Sequence, residues 1–526
     1  MGGLDWPAGQ VFPRFQPIQR LWVVNATGAS TETLTALASA EGLVNRPRPR
    51  LYVVQQSDDT FWLNHALPGV THESLPNPGC SSKASSTPTT LLSLTPLMSY
   101  APICDVLRKF PGVVKGLIIY ADPSTSPVTA EVNVATTMAG VDDAMIVTPA
   151  MASVFEAAPF DLKVIANLTT MGWTSNDQAY EWEYEDLWPK TQHRLIFDDE
   201  PTNPKLREYV VATKGYVVWL DPTVSQDASL LTEILKNAMP FAPILGWWTN
   251  EEAGVSLGST YGHATIASDY IDNLSVFSSF PPAAGLKQTA PAGGEPKAPP
   301  QSGIYYSVEF SDGDNIQYMQ HQLLVLWKDP ARADTPAAFT IQPWAADLIP
   351  TIVEYYYRTA GPGDYFVTGP SGPGYFYPRD WPSNTLQAWL QKGVPLLRDL
   401  DIHMVEVWNY SLLNLQTYLQ VYHPSALLLG GGSPSAQIYN AGTAVETVNL
   451  GSAETVAQAE SFMEGLQSQA TSGPVFVNLY VIAWDFTPTM VTQLESALGS
   501  QYHLVRLDQL MTMWSEAHPA RSSSAG

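Results

Sequence analysis

Residues 303–327 read GIYYSVEFSDGDNIQYMQHQLLVLW, and this stretch decides the fold. Gly303 to Phe310 is a run of β-branched and aromatic residues, the composition of a strand. Ser311 to Asn315 is a turn, and Ile316 to Trp327 carries apolar residues at helical spacing. The unit is a strand followed by a helix, and it recurs. Strands are expected at Ala337–Gln342, Asp364–Thr368, His403–Trp408, Ala426–Leu429, Val475–Trp484 and His503–Leu507. Helices are expected at Leu348–Arg358, Ser383–Leu397, Ser411–Val421, Glu454–Gln467 and Pro488–Ala497. Seven strands alternating with helices over ~220 residues predict a (β/α) barrel-like domain, with a doubly wound open sheet as the other solution.

Working outward, Pro281 to Gln301 reads PPAAGLKQTAPAGGEPKAPPQ and has neither period, so it predicts a semi-rigid surface linker. Before it, short apolar strands such as Leu21–Asn25, Arg50–Gln55, Val114–Tyr120 and Tyr216–Leu220 again alternate with helical patterns. The expected fold class is α/β: several small N-terminal βαβ domains (15–92, 93–200, 201–280), the linker 281–301, and a C-terminal barrel-like catalytic domain at 302–520. No GxGxxG follows a strand and no GxxxxGK[ST] occurs, so the first half carries no nucleotide fingerprint. Ser522 to Gly526 reads as a frayed tail.

The chain has 526 residues with 26 Lys plus Arg against 50 Asp plus Glu, a formal charge of -24. That balance excludes the basic footprint of a nucleic-acid binder. No apolar run reaches the ~18–20 residues of a membrane span, and no signal peptide is visible. The two cysteines, Cys80 and Cys104, read either as buried thiols or as one disulfide. Sequons at Asn25, Asn167, Asn273 and Asn409 occur about as often as chance allows.

In either architecture the chemistry gathers where strands end. Those positions hold Asp312, Asp314 and Asn315 after the first strand, and Trp344 after the second. Gly372 to Pro378 (GPGYFYP) follows the third, with Gly374, Tyr375 and Tyr377. Glu406, Trp408 and Asn409 end the fourth, and Trp484 and Asp485 end the sixth. Glu406 sits inside an apolar strand, MVEVW, where a carboxylate is costly unless paired or functional. Carboxylates, aromatic rings and glycines together suit a neutral, hydroxyl-rich substrate. The bland readings are a helix cap for Asp312-Gly313-Asp314-Asn315 and for Asp485, and a packed turn for the tyrosines. No Gly-x-Ser-x-Gly elbow and no His-Glu-x-x-His occurs.

The stretch Gly372 to Pro378 resembles the motif that names the GxGYxYP family, whose name assigns it to the glycoside hydrolases. SDGDN at Ser311–Asn315 and the Trp484-Asp485 pair are similar to that family's C-terminal region. Gly246-Trp247-Trp248-Thr249-Asn250-Glu251-Glu252 and Ser268-Asp269 with Asn273-Leu274-Ser275 look like its N-terminal region. The resemblance implies small N-terminal α/β domains, a barrel-like C-terminal domain and sugar processing. The expected catalytic set is Asp312, Asp314 and Glu406, acting as acid and base or nucleophile. Glu251, Asn315, Trp344, Gly374, Tyr375, Tyr377, Asn409, Trp484 and Asp485 are expected to bind an oligo- or polysaccharide, with Asp485 and Glu251 as reserve carboxylates. No cofactor is expected, although the oxygens of Asp312 and Asp314 would suit Ca²⁺ or Mg²⁺. A secreted or extracellular location is expected. The other readings are a non-catalytic glycan-binding protein and a metal-dependent hydrolase or deacetylase.

Overall fold

The computed structural model describes residues 4–7, 9–76, 79–80, 100–294, 302–430, 438–440, 443–444, 449–471 and 473–518. The end of the expected linker, most of the Pro/Ser/Thr loop after Cys80, Gly431, Gly432 and the Ser-rich tail lie outside these residues. The chain divides into two compact units. The first is Met1–Pro282 with Asp347–Thr351, and the second is Ala283–Ala346 with Ile352–Gly526.

The first unit is built on short parallel strands. β1 (Leu21–Asn25), β2 (Leu51–Val54) and β3 (His72–Ser74) form one sheet in the order β2-β1-β3. β4 (Leu117–Ile119), β5 (Met145–Val147) and β6 (Val164–Asn167) form a second, in the order β5-β4-β6. β7 (Ile196–Asp198), β8 (Tyr216–Val218), β9 (Ile244–Gly246) and β10 (Thr265–Ala267) form a third, in the order β10-β9-β7-β8. All their pairings are parallel. Most of these strands are buried, because helices cover parallel sheets. Close packing fixes some helix positions: a Cβ on Gly42 would meet the Glu208 carbonyl oxygen at 2.3 Å. Asn273, in one of the stretches carrying the family resemblance, is a structural residue. Its side chain accepts from the Val53 N–H at 2.7 Å and donates to the Val53 carbonyl at 2.9 Å. Cys80 and Cys104 form a disulfide.

The second unit carries the longer strands. β11 (Gly303–Phe310), β12 (Ala337–Ile341), β13 (Asp364–Thr368), β14 (Met404–Trp408) and β15 (Ala426–Gly430) come first. β16 (Ile438–Asn440), β17 (Thr443–Ala444), β18 (Asn449–Ala453), β19 (Pro474–Val481) and β20 (Tyr502–Leu504) follow. One sheet runs β13-β12-β11-β19-β18, with β20 paired to the first half of β11. A second runs β14-β15-β16-β17, antiparallel from β15 onward. Among the described residues no backbone ladder joins the two sheets. They share one apolar core: Ala338, Tyr365 and Val367 from the first pack with Met404, Ala426 and Leu428 from the second, and with Phe476 and Leu510.

Several expected elements differ in detail: β19 stops at Val481, short of the expected Trp484, the expected helix Glu454–Gln467 is Val456–Glu464, and β16, β17 and β18 lie outside the expected set. The helix after β11 is broken at His321 into Ile316–Gln320 and Gln322–Trp327. The expected strand His503–Leu507 stops at Leu504, and Leu507–Ala517 is a helix. The linker is held along its described part. Gln288 exchanges hydrogen bonds with the Phe366 backbone (2.7 and 3.1 Å), and the Leu286 N–H donates to the Asp399 carbonyl at 2.8 Å.

Candidate active site

Alternation along a strand sends every second side chain to the same face. On β11 these are Tyr305, Ser307 and Glu309, and on β19 they are Phe476, Asn478 and Tyr480. The parallel register places Tyr305 beside Phe476, Ser307 beside Asn478 and Glu309 beside Tyr480. Three layers result. The lowest is aromatic, with the Tyr305 and Phe476 rings stacked at 6.0 Å, and Phe476 belongs to the shared core. The middle layer is polar: the Ser307 hydroxyl donates to Asn478 Oδ1 at 2.7 Å. Asn478 Nδ2 then donates to Glu309 Oε2 in the third layer. Burial pushes the Glu309 carboxyl up to about 7, against the opposing effect of the Asn478 hydrogen bond.

β14 adds Glu406, which is 3% exposed. It alternates with Met404 in the core and Trp408 at the strand end. The Trp408 indole N–H donates to Glu406 Oε1. Gly430 on the neighbouring strand makes room for that indole, since a Cβ there would lie 2.4 Å from Trp408 Nε1. Burial raises the Glu406 carboxyl well above its ordinary value, and the charges of Glu309 and Asp314 raise it further. The Trp408 indole and the nearby Tyr480 phenol oppose the rise. Tyr480 is itself pushed up, first by burial and then by Glu406, Asp312, Glu309 and Asp314.

The turn after β11 brings the next carboxylates. Asp312 takes φ +75°. The Trp484 indole N–H donates to its Oδ1 at 2.6 Å, and the Ser311 hydroxyl donates to its Oδ2. Burial raises the Asp312 carboxyl, these two donors lower it, and Asp485 raises it. Trp484 is 48% exposed and meets Tyr318 edge-on at 6.2 Å. Asp485 is exposed. Asp314 is buried, and its carbonyl accepts from Gln342 Nε2 at 3.0 Å. Asn315 caps the helix Ile316–Gln320 by accepting from the Tyr318 N–H.

The GPGYFYP loop is clamped by Ser371. Its hydroxyl donates to the Phe376 carbonyl (2.9 Å) and accepts from the Trp408 N–H (3.1 Å), while its carbonyl accepts from the Tyr418 hydroxyl (2.8 Å). Gly372 and Gly374 take φ +96° and +104°, which only glycine adopts without strain. The Trp344 indole, buried beside Trp389, donates to the Pro373 carbonyl at 3.1 Å. Tyr375 and Tyr377 are buried with hydroxyls 3.3 Å apart, and the Tyr375 ring meets Trp408 edge-on at 6.2 Å. Asn409 takes φ +45°, and its carbonyl accepts from the Arg379 N–H at 3.0 Å.

In the second unit Asp312, Asp314, Glu309 and Glu406 act on Tyr480, Trp484 and Asp485 adjoin Asp312, and the Tyr375 ring meets Trp408. Asn315, Trp344, Gly374, Tyr377 and Asn409 hold the surrounding turns. Glu251 is the first residue of the helix Glu251–Thr260 in the first unit. Sequence reasoning missed Glu309, Asn478 and Tyr480. The signal was available: Glu309 is a lone acid in an apolar alternation, as Glu406 is. Among the described residues no group of three or more His, Cys, Asp or Glu side chains is arranged to hold a metal ion, and no helix is long and apolar enough to cross a membrane.

Residues 302–515 match the domain described as "GxGYxYP putative glycoside hydrolase C-terminal domain". Residues 193–279 match the "GxGYxYP third domain" and residues 114–191 the "GxGYxYP_N second domain". No curated protein matches the chain. A crystal structure described as a "putative hydrolase" from Bacteroides thetaiotaomicron VPI-5482 is similar over 97% of this chain and 98% of that one, with a TM-score of 0.79 at 21% identity. It shares the fold. Puue allantoinase is similar over 43% of this chain and 96% of its own, with a TM-score of 0.33 at 9% identity. The GPGYFYP loop clamped against β14 is the family's signature in place, and with three matched domains spanning 114–515 the chain belongs to the GxGYxYP family.

Proposed function

We propose that the protein is a glycoside hydrolase that cleaves an oligo- or polysaccharide by carboxyl acid–base chemistry. The observation that carries this reading is that Glu309 lies beside Tyr480 in the strand register, and that Glu406, Asp312, Glu309 and Asp314 all raise the Tyr480 hydroxyl. Glycoside cleavage needs one carboxyl group that still holds a proton near neutral pH and a second that acts as base or nucleophile. Burial and like charge supply the first, at Glu406. Asp312 is the least buried of the four; burial and the Asp485 charge raise its carboxyl, and the Ser311 and Trp484 hydrogen bonds oppose that rise, which suits the second role. The exposed Trp484 ring offers an apolar face to a sugar.

In this reading the two sheets of the second unit are walls of one barrel-like enclosure. Their shared core supports it, as does the hydrogen bond of 3.0 Å from the Glu406 N–H to the Thr368 hydroxyl across the break in the ladder. The Cys80–Cys104 disulfide supports work in an oxidising compartment outside the cytosol.

The test is a screen against chromogenic glycosides and plant, fungal and bacterial polysaccharides, with Asp312→Asn and Glu406→Gln beside the parent. Turnover by the parent that falls in both variants is expected. Binding of a glycan without turnover on any member of the panel would overturn the hydrolase reading in favour of a glycan-binding protein.

A further inference from the structure

The signature loop and β14 are tied together at Trp408. Its backbone N–H donates to the Ser371 hydroxyl at 3.1 Å, and that hydroxyl donates in turn to the Phe376 carbonyl of the loop at 2.9 Å. Its ring stands edge-on to Tyr375 and tilted against Tyr480, each at 6.2 Å. On β15, Gly430 leaves the space the indole fills: a Cβ there would lie 2.4 Å from Nε1. So held, the indole N–H donates to Oε1 of Glu406. The Glu406 backbone is fixed as well, its N–H donating to the Thr368 hydroxyl of β13 at 3.0 Å. The titratable groups acting on Glu406 are Glu309 of β11, Asp314 of the following turn and Tyr480 of β19, and Leu428 stands opposite it on β15. An indole N–H can only donate, so the oxygen it meets must accept. In a protonated carboxyl the better acceptor is the C=O oxygen, because the other carries the proton. A protonated Glu406 bonded in this way carries its proton on Oε2.

We propose that Trp408 is a positioning residue that decides which oxygen of Glu406 carries the acid proton, and that the GPGYFYP loop reaches the chemistry through it, with Ser371 as the link. The inference rests on the reading of Glu406 as the acid of the proposed hydrolase. A general acid must present its proton from one oxygen in one direction. A carboxyl free to turn offers either oxygen, and the indole N–H removes one of the two. The same bond favours the ionised carboxylate, so it also eases release of the proton. The family's signature loop then has a task beyond packing: it fixes the residue that orients the acid.

Infrared spectroscopy reads this bond without a substrate. A hydrogen bond accepted by the C=O oxygen of a protonated carboxyl lowers its stretching frequency. Subtracting the spectrum of Glu406→Gln from that of the parent isolates the Glu406 band at each pH, and each further variant is measured against its own Glu406→Gln double variant. In Trp408→Phe a ring stays and the N–H is gone, while Glu309 and Asp314 remain. The Glu406 band should move to higher frequency and persist to higher pH. Ser371→Ala, which unties Trp408 from the loop, should move the band the same way. An unmoved band in a folded Trp408→Phe protein overturns the proposal, and so does a parent with no Glu406 band at any pH at which it stays folded. An unmoved band in folded Ser371→Ala overturns the loop's part in it. Should Trp408→Phe not fold, Gly430→Ala serves, because the added Cβ pushes the indole off Glu406, and an unmoved band again overturns the proposal. Should Ser371→Ala not fold, Ser371→Cys, a weaker acceptor, takes its place under the same criterion. Because no substrate enters, the positioning can fail while hydrolysis stands, and hydrolysis can fail while the positioning stands.

Discussion

Gly313 and Gly369 stand backbone to backbone: a Cβ on Gly369 would lie 2.1 Å from the Gly313 carbonyl carbon and 2.5 Å from the Asp314 nitrogen. This contact locks the SDGDN turn to the start of the GPGYFYP loop. Neither side can give, because the clashing atoms are backbone rather than the tip of a side chain. Gly369→Ala should therefore destabilise the protein by roughly 1–3 kcal/mol or more, and loosen Asp312 with it. Thermal unfolding of the variant checks this, and a melting temperature equal to the parent's would contradict the close approach.

The pH dependence of stability has a definite sign. Burial pushes Asp59, Glu208 and Glu309 up to about 7. Their ordinary values are near 4, so between about pH 4 and 7 the folded chain binds more protons than the unfolded one. Stability then falls as pH rises through that window. Each pH unit separating the folded and unfolded values costs about 1.4 kcal/mol per group. Melting temperature should be higher near pH 5 than near pH 8, and a flat or rising profile over that range would refute it.

Trp484 should tune Asp312. Its indole N–H favours the ionised carboxylate, so Trp484→Phe removes that bias while keeping an aromatic face. Losing that donor should raise the Asp312 carboxyl further. The acidic limb of the pH–rate profile should move upward in the variant. An unmoved limb would remove Asp312 from the ionisations that control turnover.

The legible parts of the sequence are those where local pattern and burial agree. Gly303–Phe310 and Asp364–Thr368 are strands over their expected residues, and Pro488–Ala497 is a helix over its own. Strong β-formers bounded by turn residues mark the strands, and Thr487 before Pro488 marks the helix start. The three-residue strands β3, β9 and β10 escape such reading. His72–Ser74 is exposed throughout and has no apolar residue, so only its ladder to β1 makes it a strand. The motifs after strand ends led to Asp312, Asp314 and Glu406. Glu309 carried a readable signal as the one charged residue of its strand, whereas Asn478 and Tyr480 were hidden because strand alternation gives two faces without saying which one meets the other sheet. Only the parallel register of β11 and β19 reveals that Glu309 lies beside Tyr480, one step along the same face from Asn478.

The Cys80–Cys104 disulfide closes a loop with a sequence separation of 24. In the loop-entropy account a link of that span contributes ~3 kcal/mol. Cys104→Ala should lower stability by about that amount, less any native strain it relieves, and so should a reductant on the parent. A thiol titration of the denatured, unreduced parent should find no free thiol. Two free thiols in that titration would show that the bridge is not formed in solution.

Asp312→Asn and Asp314→Asn separate three roles for the turn. Both changes are nearly isosteric, so both variants should fold. As members of the reacting set, each should lower kcat by ~10²–10⁴-fold, the range for acid–base assistance, with glycan binding retained because Trp484 and Tyr375 are untouched. A cation held by the two carboxylates would lead elsewhere: both variants would lose thermal stability, and EDTA would reproduce the loss in the parent. A turn that only caps the following helix would cost ~1 kcal/mol and leave turnover intact. Asn315, rather than either aspartate, accepts the helix N–H, which already weakens the capping role for Asp312 and Asp314. Melting curves with and without EDTA, run beside turnover on one hydrolysed glycoside, decide among the three. Full activity in both variants would exclude the turn from the mechanism and leave Glu406 and Asp485 as the second unit's candidate carboxylates.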